Sequence, residues 1–164
     1  MMACLVVECR RALGENGGTE GRARMHDPNE EVVVTWPPHF PDKCPPADAP
    51  AASGVVYRFV RQDPPRTEDF VSRQENQPQH HFGTKSCQAS GLSVFRHPSD
   101  LDRLRRRVRA YETSLVATAE LTSSHGVVLP TPTRNGTSHH TWWVPLGVVP
   151  ASLFRVVPSS DSRT

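Results

Sequence analysis

The sequence predicts a small α+β protein: a mixed or antiparallel sheet with one long and one short helix, behind a poorly structured N-terminal arm. Three observations carry that reading. Strand-length runs rich in β-branched and aromatic residues recur from Val55 onward. One segment, Pro98 to about Glu112, has clear helical periodicity. The order of elements is strand, short helix, strand, long helix and then several strands, which is not the regular alternation of a parallel βαβ sheet.

The 164 residues suggest one domain, long enough to bury a core without covalent staples. Its 16 prolines are unevenly placed, six of them between Pro37 and Pro50, so the low hydrophobic content belongs mostly to the N-terminal third. The predicted organisation is a flexible arm with a proline-rich linker over residues 1–52, a compact domain over 53–158 and a flexible tail over 159–164. Met25 offers a second plausible start, and Val32, Val34 and Trp36 allow one short strand before the prolines.

Within the compact part, Val55-Val56-Tyr57-Arg58-Phe59-Val60 reads as a buried strand, broken by Asp63-Pro64-Pro65. Thr67 has N-cap chemistry, and Glu68 and Asp69 suit the positive end of a short helix. The polar stretch 74–90 reads as a loop, and Gly91 to Phe95 as the next strand. In the long helix, Ser99 and Asp102 have capping-box spacing, and Leu101, Leu104, Val108 and Tyr111 share one face. Ser114 to Leu121 follows as a strand with Leu115, Ala117, Ala119 and Leu121 on one side. Asn135-Gly136 has hairpin-turn chemistry before the strand His139 to Val144. Pro130 and Pro132 confine the hairpin's first arm to a sheet edge, and Leu153 to Val157 supplies a last strand.

The net charge of +2 selects no class of partner. Cys4, Cys9, Cys44 and Cys87 include no CxxC pair, so they read as free thiols in a reducing, cytoplasmic compartment. Neither a signal peptide nor a membrane-length apolar run is visible. The pairs His80-His81 and His139-His140 do not have metal-ligand spacing, because adjacent strand residues point to opposite faces. Cys87 with a distant histidine would make a thiol nucleophile, but no family signature surrounds it.

Arg58 is the most informative single residue. On a strand it shares a face with Val56 and Val60, so its guanidinium needs a carboxylate or an anionic ligand to offset desolvation. Glu120 ends a strand, where its carboxylate is either catalytic, a partner for Arg58 or simply solvated. Tyr57, Trp142 and Trp143 serve either as pocket walls or as core.

The succession Val56-Tyr57-Arg58, then Gly91-Leu92-Ser93-Val94-Phe95 before a helix, then a strand ending in Glu120, resembles an ADP-ribosyltransferase-type domain. The resemblance covers roughly residues 55–121 and lacks that superfamily's Ser-Thr-Ser triplet and Glu-x-Glu or Gln-x-Glu pair. It implies NAD as cofactor, bound by Arg58 and Tyr57, with Ser93 and Glu120 as catalytic residues. The alternative is a non-catalytic binding module. Its basic helix would contact an acidic protein or nucleic acid through Arg103, Arg106 and Arg107.

Overall fold

The computed structural model describes residues 34–158. The expectations for an arm over 1–33 and a tail over 159–164 therefore lie outside the described residues.

Six antiparallel strands form one sheet in the order β4-β5-β2-β1-β3-β6. They are β1 (Gly54–Val60), β2 (Leu92–Phe95), β3 (Leu115–Leu121), β4 (Val127–Pro130), β5 (His139–Trp143) and β6 (Arg155–Val156). The helices are short, except one: α1 (Arg73–Asn76), α2 (Ser86–Ser90), α3 (Pro98–Arg107) and α4 (Pro150–Leu153). The fold is α+β with an antiparallel sheet. As Pro130 and Pro132 require, the hairpin arm that carries or precedes them, β4, lies on the sheet edge.

Period-two alternation sorts the sheet's side chains onto two faces. One face carries Val56, Val60, Leu92, Val94, Ala117, Ala119, Leu121, Val128 and Trp142, and Phe70 and Phe154 pack with them in a single core. Those two rings meet at 5.0 Å. The other face carries Phe59, Ser93, Phe95, His139 and Thr141, in the register Ser93↔Thr141 and Phe95↔His139. Tyr111 stacks on Phe59 at 4.6 Å, and the Arg105 guanidinium lies over the same ring, so the end of α3 and the turn after it cover this second face.

Pro98 at the first helical position starts α3, and the cap residue is His97 rather than Ser99. The helix stops at Arg107, and Arg109–Tyr111 forms a separate tight turn, so the expected continuous helix to Glu112 is divided. Of the predicted apolar stripe, Leu101 is fully buried, Leu104 half-buried and Tyr111 largely at the surface. What ties the helix to the sheet is Asp100. Its carboxylate, 3% exposed, accepts from the Ser138 amide and hydroxyl, both at 2.8 Å, just ahead of β5.

Several expectations need correction. Residues 74–90 are not a featureless loop. Ser72 and Glu75 exchange capping bonds at 3.2 and 2.8 Å to start α1, and α2 follows a tight turn at Gly83–Lys85. Thr67 is not a cap; Arg66 precedes the turn Thr67–Phe70, whose Asp69 carboxylate accepts from the amides of Arg61 and Arg66. Residues 34–36 form no strand.

The proline-rich segment is not a free linker. Its backbone bonds to the folded part at Leu146 to Thr35, Val128 to Pro50 and Ala52 to Gly126, and Ala52 sits in the core. Cys44 is joined to Cys87 by a disulfide, so these two are not free thiols and Cys87 is not a nucleophile. The compact unit thus includes residues 34–52, ahead of the predicted boundary at 53.

Candidate functional site

The site begins where two central strands separate. β1 pairs with β3 along all seven of its residues, but with β2 at the single register pair Tyr57↔Phe95. Beyond that pair the Ser93 carbonyl receives its bond from a side chain, the Arg58 guanidinium, at 2.6 Å. Arg58 Nε also donates to the Asp69 carbonyl at 2.9 Å, and the guanidinium lies 5.7 Å from the centre of the Phe70 ring.

This cation has no ion-pair partner among the described residues. Asp69 is the nearby carboxylate, but its two oxygens accept from the Arg61 and Arg66 amides and not from Arg58. Desolvation brings the Arg58 pKa down to about 10, against the opposing influence of Tyr111 and Asp69. The group is therefore still cationic at neutral pH. Carbonyl oxygens solvate it, but they do not balance its charge.

Beyond a hollow of about 680 Å³ on the Asp69 side of Arg58, two adjoining hollows lie toward β2 and β5. One, of about 440 Å³, is lined by Arg58, Arg73, Ser93, Tyr111 and His139, among others. The second, of about 450 Å³, is lined by Arg73, His80, His81, Lys85, Ser93 and His139 together with Thr133 and Thr141. They share Arg73, Gly91, Ser93, Thr133 and His139, which makes them one cleft over β2 and β5. Volumes of this order accommodate a small-molecule ligand. Among the described residues no Asp or Glu lines either of these two, while Arg58, Arg73 and Lys85 do; Glu68 and Asp69 line the hollow on the other side of Arg58. The potential in such a cleft favours an anion.

Gly91 keeps the floor open. A Cβ there would run into the Thr141 methyl group and come within 3.1 Å of the Trp142 carbonyl.

His139 belongs to this cleft and was not among the residues predicted to form a site. It is 8% exposed and sits edge-on to Phe95 at 5.1 Å. Its Nδ1 lies 2.8 Å from the Thr131 carbonyl and 2.9 Å from the Thr131 hydroxyl, which in turn contacts the Thr141 hydroxyl at 2.8 Å. Because a carbonyl oxygen only accepts, Nδ1 carries the proton. Burial holds the ring's pKa below its ordinary value, and the neighbouring His140 and Arg58 charges add to that effect against the bond to Thr131. The neutral tautomer is therefore protonated on Nδ1, with a lone pair on Nε2.

Of the four residues predicted for the site, the structure brings two together. Arg58 and Ser93 are in direct contact through the Ser93 carbonyl, and the Ser93 side chain is exposed in the cleft. Tyr57 lines neither hollow. Glu120 is exposed on β3 and pairs with Val55, three positions from Ala117, the register partner of Arg58. Glu120 lies on the sheet face of Phe59 and Ser93, yet it lines neither hollow and, among the described residues, makes no ion pair with Arg58.

Trp142 and Trp143 are core residues, 0% and 1% exposed, with their ring N–H groups bonded to the carbonyls of His125 and Cys87. Of the arginines predicted to meet a partner, Arg103 contacts Asp100 at 3.2 Å and Arg107 donates to Asn135 at 3.1 Å, leaving Arg106 exposed. No helix among the described residues is long and apolar enough to cross a membrane.

Comparison of the chain with protein-family models, with curated proteins and with solved structures finds no match. The functional reading therefore rests on the geometry of the cleft.

Proposed function

We propose that the cleft binds the phosphate groups of a nucleotide, NAD or a relative of it, with Arg58 as the principal charge. The observation that carries this is the Arg58 guanidinium, half-buried at the cleft wall with carbonyl partners but no carboxylate. Arg73 and Lys85 extend the cationic wall, and the stacked Phe59–Tyr111 pair offers an aromatic surface at one end. Arg58, expected to bind NAD, and Ser93, expected to be catalytic, share the cleft, whereas Tyr57 does not line it. Glu120 lies elsewhere, so no transfer step is assigned to it. The Cys44–Cys87 disulfide supports an oxidising compartment over a cytoplasmic one.

Arg58→Lys tests the reading, because an ammonium cannot reproduce the planar fork of donors. NAD is expected to raise the melting temperature of the wild-type chain. In calorimetry the variant should bind NAD about tenfold more weakly, equivalent to ~1.4 kcal/mol. The opposite pair of results would assign Arg58 a purely structural role: no change in melting temperature with saturating NAD, and a large loss in Arg58→Lys without ligand.

A further inference from the structure

The cationic wall of the cleft offers a ligand only donors: guanidinium and ammonium groups have no acceptor capacity. Among the other polar groups lining it, the Thr133 hydroxyl is turned toward the Gly136 carbonyl at 3.4 Å and the Thr141 hydroxyl is engaged with Thr131, while His80, His81, Gln88, Ser93 and Tyr111 are exposed or partly exposed. His139 is the buried imidazole among them. With Nδ1–H committed to the Thr131 carbonyl, Nε2 is an acceptor, and among the described residues nothing hydrogen-bonds to it. Thr131 and Thr141 hold one edge of the ring and Phe95 packs against it, so the lone pair is fixed in direction.

We propose that His139 is a specificity residue of the cleft: Nε2 accepts a hydrogen bond from a hydroxyl of a phosphorylated sugar whose phosphate rests on the cationic wall. This rests on the reading of the cleft as a nucleotide-phosphate site and narrows it. An inorganic polyphosphate satisfies Arg58, Arg73 and Lys85 but gives Nε2 no partner. A ribose phosphate satisfies both.

The test compares NAD with pyrophosphate by titration at pH 8, where His139 is neutral, on the wild-type chain and on His139→Asn. The asparagine amide keeps a donor where Nδ1 stood and removes the acceptor at Nε2. His139→Asn is expected to weaken NAD about tenfold, the scale of one hydrogen bond, and to leave pyrophosphate unchanged. Equal losses for both probes, or no loss for NAD, would overturn the role of His139 while leaving the cleft reading in place. Absence of binding of either probe to the wild-type chain would overturn both. Nitrogen-15 spectra of the wild-type histidines give a second readout that needs no variant. The His139 Nε2 resonance should move with NAD and stay in place with pyrophosphate; a resonance unmoved by bound NAD would also overturn the proposal.

Discussion

Replacing Asp100 with alanine probes the joint between α3 and the sheet, on which the covered side of the cleft depends. The carboxylate accepts two bonds of 2.8 Å from Ser138, itself only 6% exposed, and contacts Arg103 at 3.2 Å. A hydrogen bond to a charged group contributes about 1.5–3 kcal/mol, and the surface ion pair adds only about 0.3–0.5 kcal/mol. Alanine leaves the Ser138 amide without its acceptor, so the expected cost is about 3 kcal/mol. For a domain of this size that corresponds to a fall in melting temperature of roughly 10–15 °C. Asp100→Asn, which keeps an acceptor, should lose less, about 1–2 kcal/mol.

The effect also has a sign in pH. Burial alone would raise the Asp100 pKa, but the Ser138 bonds and the Arg103 and His97 charges outweigh it, and the group titrates below its ordinary 3.8. Its contribution is therefore fully present above pH 4 and disappears as pH falls through the folded value. Urea denaturation of wild type and Asp100→Ala at pH 7 and at pH 3 measures both. A difference under about 0.5 kcal/mol at pH 7, or one that grows on acidification, would refute the reasoning.

Other perturbations have equally definite expectations. Reducing the Cys44–Cys87 disulfide, or replacing both cysteines with serine, releases a 43-residue separation, which the chain-entropy treatment puts at about 4 kcal/mol. Chemical denaturation with and without reductant checks this, and an unchanged midpoint would contradict it. In α3, Leu101→Ala should cost about 2–4 kcal/mol because Leu101 is fully buried, Leu104→Ala less, and Arg106→Ala under about 0.5 kcal/mol. Equal costs for Leu101 and Arg106 would mean that the helix faces another way.

The strands were legible because each carries its own signal: β1 is dense in β-branched and aromatic residues, and β3 alternates Ala117, Ala119 and Leu121 onto its buried face. Short helices were harder. Ser72-x-x-Glu75 is a capping box that announces α1, yet a four-residue helix has too few apolar positions to show a period. The proline-rich segment gave no local signal at all, since a disulfide to Cys87 and backbone bonds to Gly126, Val128 and Leu146 anchor it.

The site was legible in part for the same reason. Arg58 stood out as a charge among β-branched neighbours, and its place at the cleft wall follows from that. Glu120 was misjudged because the β1–β3 register, which sequence does not supply, sets it opposite Val55, three residues from Arg58 along β1. His139 had a partial signal: strand alternation separates it from His140 and places it on one face with Thr141, but that α3 and its following turn cover this face is a tertiary fact.

The most direct test of the central claim is mapping amide chemical shifts of the full chain while NAD is added. The account predicts that shifts concentrate at Gly91, Ser93, Thr133 and His139, with Arg58 and Arg73 alongside, the residues that line the cleft. Shifts confined to Arg106 and its neighbours on the exposed side of α3, with the cleft residues unmoved, would contradict it.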